Sequence, residues 1–354
     1  MYEYFYTEHD WILYIVAFAV AFAVALLLTP WAKKMSYKLG AVDKPKARGV
    51  SKREMPRLGG LAIFIGFMVA MGILAFFMEE LRSLQFAGFV VGALIIAGLG
   101  ILDDIYNIKA RIKLVVQVGV ALIVVFTGTS IDFIGWNMPA IFETLSVPIT
   151  VLWIVGIINA VNFIDGVDGL AAGVSSIVSV FLVILCILTG SPLAVVFAAA
   201  LAGSSLGFLP RNFNPAEIFM GDTGATFIGY VLAVSSIIGV YKSYALLSVL
   251  IVGFALALPI MDTVYVMVCR ILKRQNPLNA DRGHLHHKLI DLGYSSKATV
   301  TILYAVSIFA GVLAVLIALE NIPALIIGIV LLFVLFSTIY VYRKRVNRDK
   351  DDEV

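Results

Sequence analysis

The sequence predicts an all-α fold, a polytopic membrane helix bundle of about eleven transmembrane helices. Hydrophobic residues make up 61% of the 354-residue chain and charged residues 14%, whereas a soluble domain is usually ~45–50% apolar and ~25% charged. The mean hydropathy is +1.00. Apolar runs close to the ~20 residues that a helix needs to cross a bilayer follow one another along almost the whole chain.

The predicted spans are separated by short polar connections. They lie near residues 11–30, 58–78, 84–102, 113–128, 147–162, 169–190, 192–209, 223–241, 243–269, 300–318 and 321–342. The fourth and fifth are shorter than the others. We therefore expect one integral-membrane domain over residues 1–342, with functional loops in the cytoplasm, and a charged cytoplasmic tail over residues 343–354.

The basic residues orient these spans. Of the 26 Lys and Arg residues, 24 fall in the connections on one side of this arrangement, and only Arg82 and Lys242 fall on the other. Cytoplasmic connections of membrane proteins are enriched in Lys and Arg. We therefore expect a multi-pass protein of the plasma membrane with its N-terminus outside and its C-terminus in the cytoplasm.

The polar motifs of the chain all fall on the predicted cytoplasmic side. They are LDDIYNIKARIK (102–113), NAVNFIDGVDG (159–169), RNFNPAEIFMGDTG (211–224) and NADRGHLHHKL (279–289). The opposite connections are short or lack such motifs. Any chemistry is therefore expected at the cytoplasmic surface of the membrane.

An acidic pair, Asp103 and Asp104, ends the third predicted span. Adjacent carboxylates repel each other, and partial burial raises their pKa values. A divalent cation would relieve that repulsion. The alternative is a solvated helix end without a specific role.

Two amides and two carboxylates follow each other at the end of the fifth span. Asn159 and Asn162 are spaced i and i+3, so they share one face if the helix continues that far. Asp165 and Asp168 repeat the same step. Helix capping is the alternative role, but a cap needs one such residue and four are present.

A third acidic position, Asp222, directly precedes the eighth predicted span, where N-capping is again the alternative. The Asp and Asn side chains together form an oxygen-rich set that suits Mg²⁺ better than zinc, with Mn²⁺ as a substitute ion. Mg²⁺ commonly takes one or two protein carboxylates and completes its shell with water and substrate phosphates. The sequence has no Walker A or GxGxxG motif, so metal, Lys and Arg would have to hold a phosphate.

Three histidines are concentrated in the HLHH segment. His284, His286 and His287 lie beside Arg282 and Lys288. Neighbouring cations disfavour a metal, so this arrangement favours contacts to the anionic and hydroxyl groups of a substrate. Zinc binding and contact with anionic lipid headgroups are the alternatives.

The polar motifs, in their order along the chain, resemble those of the polyprenyl-phosphate N-acetylhexosamine-1-phosphate transferase family. The resemblance covers nearly the whole chain and rests on LDDIYN, NAVNFIDGVDGLAAG, NPAEIFMGDTG and DRGHLHHKL. The stretch 43–60 is similar to the family's first cytoplasmic loop but departs from it at Gly49 and Ser51. For this loop, a general inside-positive charge is the alternative role.

The resemblance implies a function. The chain would transfer N-acetylglucosamine 1-phosphate from UDP-N-acetylglucosamine to undecaprenyl phosphate, release UMP and so initiate cell-envelope glycan synthesis. Mg²⁺ would be the cofactor, and the two substrates would be the binding partners. The protein would form a homodimer and would not bind nucleic acid. One alternative is the UDP-N-acetylmuramoyl-pentapeptide phosphotransferase of peptidoglycan synthesis, although HxHH after an Arg is similar to the N-acetylglucosamine branch. The other is an ion-coupled transporter, which also places polar residues in broken helices.

The resemblance also implies roles for individual residues. Asp222 and Asn162 would bind the metal. Asp103 and Asp104 would form the acidic pair required for activity, and Lys113 would lie near the phosphates. The remaining nucleotide and sugar contacts would be Asn159, Asp165, Asp168, Asn212, Phe219, Arg282, His284, His286 and His287, with Phe219 stacked on the uracil. Asp262, inside the ninth span, is placed outside this site.

The mechanism expected from these roles is a single displacement. An oxygen of the lipid phosphate would attack the β-phosphorus of the nucleotide sugar. Asp103 would hold or remove a proton on the acceptor, and Asp104 would orient the acceptor or a metal-bound water. A two-step route through an aspartyl-phosphate is the alternative.

Overall fold

The computed structural model describes residues 10–43, 54–131, 141–240, 256–272 and 285–319, together with residues 253, 323, 326–328 and 330. In these ranges the α-helices are α1 (Asp10–Leu39), α2 (Gly59–Leu74), α3 (Leu84–Tyr106), α4 (Ala110–Phe126), α5 (Ile141–Ile164), α6 (Leu170–Thr189), α7 (Pro192–Asn212), α8 (Gly221–Val240), α9 (Ala257–Leu272), α10 (Leu285–Asp291) and α11 (Ser296–Ala318). A 3₁₀ turn covers Glu79–Arg82. Two short strands, β1 (Val42–Asp43) and β2 (Met55–Pro56), pair antiparallel.

The prediction of a polytopic helical membrane protein is confirmed. Seven of the described helices, α1, α3, α5, α6, α7, α8 and α11, are long and apolar enough to cross a membrane, and α2 and α9 are shorter apolar helices. The count of eleven spans and the orientation stay predictions. Most of the last predicted span, residues 321–342, lies outside the described residues.

Several boundaries differ from those predicted. α5 is 24 residues long and carries Pro148 in its interior, so the fifth helix is longer than the short span predicted. α2 ends at Leu74 rather than near residue 78. The fifth helix remains helical through Ile164, which confirms that Asn159 and Asn162 lie on one helix. Asp165 and Asp168 instead lie in the turn that follows it.

Helix α8 is at the centre of the bundle. It packs against α2, α3, α5, α6 and α7. Its Phe227 and Tyr230 are fully buried among the rings of Phe67, Phe89 and Phe197. The Tyr230 hydroxyl donates a hydrogen bond of 2.9 Å to the Phe89 carbonyl, which satisfies a polar group that would be costly to leave unpaired in an apolar core.

The alternation of the first eight helices brings the polar motifs together. Residues from the ends of α3, α5 and α7, from the starts of α4 and α8 and from the turn before α6 line one cavity. The motifs 102–113, 159–169 and 211–224 therefore meet at one end of the bundle, next to the first turn of α8.

Candidate active site

A polar cavity of about 540 Å³ lies at this end of the bundle. The side chains and backbone that line it come from the ends of α3, α5 and α7, the starts of α4 and α8, and the strand pair. They are Asp43, Arg57, Asp103, Asn107, Ile108, Lys113, Asn162, Asp165, Gly166, Val167, Asp168, Asn212, Phe219, Gly221 and Asp222. Among these described lining residues, five are aspartates and two are basic, so the cavity is acidic.

Most of the predicted site residues line this one cavity. They are Asp103, Lys113, Asn162, Asp165, Asp168, Asn212, Phe219 and Asp222. Four other predicted residues, Asp104, Asn159, His286 and His287, are described but are not among the lining residues. Arg282 and His284 lie outside the described residues.

Lys113 joins two carboxylates that come from different helices. Its Nζ lies 2.8 Å from Asp103 Oδ2 and 2.6 Å from Asp222 Oδ2. The other oxygen of Asp103 accepts a hydrogen bond of 2.5 Å from the Ile108 backbone N–H. This bond depends on a sharp turn after α3, where Asn107 adopts the left-handed conformation with φ 52°. The resulting chain Asp103–Lys113–Asp222 spans the cavity wall.

The second member of the acidic pair, Asp104, is buried and is not among the described residues that line the cavity. Its side chain is 0% exposed, and it contacts the first turn of α8 and the Arg57 guanidinium. The sequence placed both aspartates at the reacting groups, Asp103 on the acceptor proton and Asp104 on the acceptor or a metal-bound water. The helix turns about 100° between them, which separates their surroundings.

Arg57 is a site residue that the sequence analysis did not single out. Its guanidinium lies 3.5 Å from Asp104 Oδ1 and 3.7 Å from Asp222 Oδ1. The backbone beside it is held by two hydrogen bonds, from the Phe219 N–H to the Pro56 carbonyl and from the Gly59 N–H to the Phe219 carbonyl. The resemblance of residues 43–60 to a family loop was the available signal, but the many basic residues there obscured which one mattered.

Asp168 and Asn212 hold the loop after α7 against the turn after α5. Asp168 Oδ2 accepts hydrogen bonds from the Ala216 N–H at 3.0 Å and the Asn214 side-chain amide at 3.4 Å. The buried Asn212 accepts from the Gly169 N–H and donates to the Ile218 carbonyl. Both residues line the cavity, and their hydrogen bonds fix the loop that presents Phe219.

Asn159 lies one helical turn deeper than Asn162. Its amide nitrogen donates hydrogen bonds of 2.7 Å to Gln117 Oε1 of α4 and to the Val155 carbonyl. It therefore links α5 to α4 beneath the cavity, whereas Asn162 lines the cavity itself.

The histidine segment packs against the turn after α5. His286 is buried, and its imidazole lies against Gly166, where a Cβ would overlap its Nε2 atom. Asp262 of α9 accepts a hydrogen bond of 2.7 Å from the Leu285 N–H at the start of α10. His286 thus contacts the back of a cavity-lining turn, and Asp262 fixes the short helix that carries it.

Asp165 titrates near neutral pH. Burial, and then the nearby carboxylates of Asp222 and Asp104, raise the pKa of Asp165 to about 7. Close carboxylates favour the protonated form of one another. A bound cation would reverse this effect, because it stabilises the ionised form.

The donor atoms of the cavity fit a hard divalent cation that takes few protein ligands. Among the described residues, no group of three or more His, Cys, Asp or Glu side chains is arranged to hold a metal. The expected donors are fewer, the Asp222 carboxylate and the Asn162 amide oxygen, and both line the cavity. The Lys113 ammonium between Asp103 and Asp222 marks a position where oxygen atoms already coordinate a positive charge. Mg²⁺ commonly keeps water and phosphate ligands, so two protein donors are enough to hold it.

Fold and cavity together define a polytopic membrane protein with a carboxylate-rich polar site at one end of its helix bundle. Its residues 86–240 match the family model described as glycosyl transferase family 4. The chain is 40% identical to the probable undecaprenyl-phosphate N-acetylglucosaminyl 1-phosphate transferase of Bacillus subtilis (strain 168), over 85% of this chain and 84% of that protein. The protein belongs to glycosyl transferase family 4.

Two further relatives align with this chain over most of their length. The decaprenyl-phosphate N-acetylglucosaminephosphotransferase of Mycolicibacterium smegmatis is 31% identical over 82% of this chain and 78% of that protein. The undecaprenyl-phosphate alpha-N-acetylglucosaminyl 1-phosphate transferase of Escherichia coli (strain K12) is 26% identical over 83% and 82%. The names of the relatives agree on the sugar and differ in the length of the polyprenyl acceptor.

Proposed function

We propose that this chain transfers N-acetylglucosamine 1-phosphate from UDP-N-acetylglucosamine to undecaprenyl phosphate and releases UMP. The reaction would take place at the cytoplasmic face of the membrane, with Mg²⁺ as cofactor. The sugar and the acceptor are those in the printed names of the Bacillus subtilis and Escherichia coli relatives. The homodimer implied by the family resemblance stays a prediction.

The observation that carries this proposal is the Asp103–Lys113–Asp222 chain beside exposed apolar surface. The cavity-lining residues Asn107 and Ile108 are flanked by Tyr106, 72% exposed, and Ile112, 53% exposed. In a membrane-spanning bundle, exposed apolar side chains face lipid. A lipid phosphate could therefore reach the polar cavity from the bilayer while its hydrocarbon chain stays in the membrane.

A nucleotide diphosphate needs cations in order to bind in this acidic cavity. Five lining aspartates repel a nucleotide diphosphate, and Lys113 and Arg57 are the basic residues among the described lining residues. The chemistry that a bound Mg²⁺ would supply is neutralisation of charge on the diphosphate and on the leaving UMP. Asp222 and Asn162 would hold that ion, and Lys113 would stay within reach of the same phosphates.

The proposed reaction exchanges one phosphorus–oxygen bond for another. An oxygen of the lipid phosphate forms a bond to the β-phosphorus, and the bond from that phosphorus to the bridging oxygen breaks, so that UMP leaves with the electron pair. Asp103 would hold a proton on the acceptor phosphate if the monoester is protonated. A phosphate monoester has its second pKa near ~6, so a dianionic acceptor needs no base.

The test uses purified protein in nanodiscs with undecaprenyl phosphate and Mg²⁺. We expect UMP and a lipid-linked product from UDP-N-acetylglucosamine, neither from UDP-N-acetylmuramoyl-pentapeptide, and loss of both when EDTA is added. The Asp222→Ala variant should lose Mg²⁺-dependent turnover. Turnover with the pentapeptide donor alone would favour the peptidoglycan alternative. In proteoliposomes, uptake of the nucleotide sugar without UMP would favour the transporter.

A further inference from the structure

The two adjacent aspartates of the LDD motif occupy different environments. Asp103 lines the cavity. Asp104 has a side chain with no exposed surface and is absent from the described lining residues. A group that is closed off from the cavity cannot touch a substrate there, so the two carboxylates require different explanations.

Within the described part of the chain, the hydrogen bonds to the Asp104 carboxylate come from the first turn of α8, and Arg57 adds an ion pair at 3.5 Å. Oδ1 accepts from the Asp222 N–H at 2.9 Å. Oδ2 accepts from the Thr223 N–H at 3.0 Å and from the Thr223 hydroxyl at 2.7 Å. The first N–H groups of a helix have no partner within the helix, so Asp104 acts as a cap supplied by another helix.

Small residues allow this close approach. At Gly221, where φ is +70°, a Cβ would overlap both carboxylate oxygens of Asp104. At Gly100, one turn before Asp104 on α3, a Cβ would overlap the backbone of Thr223. The contact between α3 and the start of α8 is therefore backbone against backbone, which leaves little freedom in how α8 begins.

We propose that Asp104 is a positioning residue, which fixes the start of α8 and thereby holds Asp222 at the cavity. This inference rests on the proposed function, because the importance of Asp222 comes from its expected role at the metal. The Asp222 N–H is bound to Asp104, while its carboxylate points to Lys113 and Arg57. Moving the backbone of Asp222 would break the Asp103–Lys113–Asp222 chain.

This account differs from one in which Asp104 orients the acceptor or a metal-bound water. If Asp104 acts on a reacting group, removal of the Thr223 hydroxyl should matter little. If Asp104 acts through the start of α8, the Thr223 hydroxyl belongs to the same unit. Residues that act as one unit show non-additive effects when both are changed.

The experiment compares Asp104→Asn, Thr223→Val and their double variant, with Thr223→Ser as the matched control that retains the hydroxyl. We expect Asp104→Asn to lower kcat about 100-fold and Thr223→Val about fivefold, since hydrogen bonds to charged groups are among the stronger ones. KM for UDP-N-acetylglucosamine should change less than about twofold. The double variant should be no slower than Asp104→Asn alone, and both single variants should keep the wild-type shape of the pH–rate profile.

Two measurements are independent of turnover. Hydrogen exchange of the peptide that contains residues 221–224 should speed up in Asp104→Asn and Thr223→Val but not in Thr223→Ser. Mn²⁺ binding, followed by electron paramagnetic resonance in the presence of UMP, should weaken in the same two variants.

Three results would overturn the positioning role. They are an Asp104→Asn variant that loses one limb of the pH–rate profile, fully additive losses in the double variant, and unchanged hydrogen exchange at residues 221–224. If the wild-type protein released no UMP at all, the proposed function would be wrong. Hydrogen exchange and Mn²⁺ binding would still decide whether Asp104 positions Asp222.

Discussion

Lys113 provides the positive charge that two carboxylates of the cavity share. Its ammonium contacts Asp103 and Asp222 at hydrogen-bonding distance, and it comes from a third segment, the start of α4. Without it, two carboxylates would face each other across a partly buried site. Lys113 therefore offsets the repulsion between Asp103 and Asp222, while Arg57 contacts Asp222 from another side.

Replacing Lys113 by Met should lower kcat by about 100-fold or more, because truncating one member of a buried charge pair leaves the other unpaired. Steady-state release of UMP measures this. Lys109→Met, at an exposed residue four positions earlier, is the matched control and should stay within about twofold. A loss below about threefold in the Lys113 variant would contradict a role for the ammonium.

Asp165 makes the stability of the metal-free protein depend on pH. Its pKa is about 7 in the folded chain and near the ordinary value of 3.8 when unfolded. The folded state therefore binds more protons between these values, and the contribution of Asp165 to stability falls as the pH rises toward 7. Burial raises this pKa most, Asp222, Asp104 and Asp168 raise it further, and Arg57 lowers it.

The Asp165→Asn variant should gain thermal stability relative to the wild type between pH 5 and pH 7, and the difference should then level off. Thermal unfolding in detergent with EDTA measures it. Asp291→Asn, at an exposed residue of α10, should show a constant difference over the same range. A gap for Asp165→Asn that shrinks as the pH rises would contradict the raised pKa.

At the scale of elements, short polar contacts fix the segments that surround the cavity. Asp168 and Asn212 hold the loop after α7, and Asp262 caps the start of α10. An intramembrane carboxylate is usually functional. Asp262 follows that rule indirectly, because the helix that it caps carries His286 against Gly166.

Replacing Asp262 by Ala should loosen the histidine segment. Hydrogen exchange over residues 285–291 should increase, and KM for the nucleotide sugar should rise up to about tenfold, since loss of a cap typically costs ~1 kcal/mol. Asp262→Asn keeps an acceptor oxygen and is the matched variant with a smaller effect. Unchanged hydrogen exchange in Asp262→Ala would show that the cap does not hold α10.

The sequence predicted the elements better than the contacts between them. Apolar runs predict helices, and most predicted spans have a helix near their position. The sequence placed both Asp103 and Asp104 at the reacting groups, but adjacency does not reveal that one lines the cavity and the other contacts the start of α8. Arg57 was missed because its partners, Asp104 and Asp222, are distant in sequence and meet it only in the folded bundle.

At the scale of the whole molecule, the alternating helices put every described polar motif at one end. The distribution of Lys and Arg predicts that this end faces the cytoplasm. The location of the polar motifs at one end could be predicted, because it follows from the positions of the charged residues and the number of helices between them. The shape of the cavity could not, since it depends on how α8 packs within the surrounding helices.

Cysteine labelling tests the orientation in a chain whose own Cys186 and Cys269 are first replaced by Ala. The two labelling sites are introduced by Glu217→Cys, in the loop beside the cavity, and Glu79→Cys, at the opposite end of the helix bundle. Both positions are exposed. A membrane-impermeant maleimide should label position 217 only in inside-out vesicles and position 79 only in right-side-out vesicles. Labelling of the two positions from the reverse sides would contradict the predicted orientation.

The central claim is that the site transfers a sugar phosphate and not the sugar alone. The most direct measurement uses UDP-N-acetylglucosamine labelled with ³²P at the β-phosphate, together with undecaprenyl phosphate and purified protein. We expect the label to move quantitatively into the lipid product while unlabelled UMP is released. Label found in released UDP, with an unlabelled sugar lipid, would contradict the account.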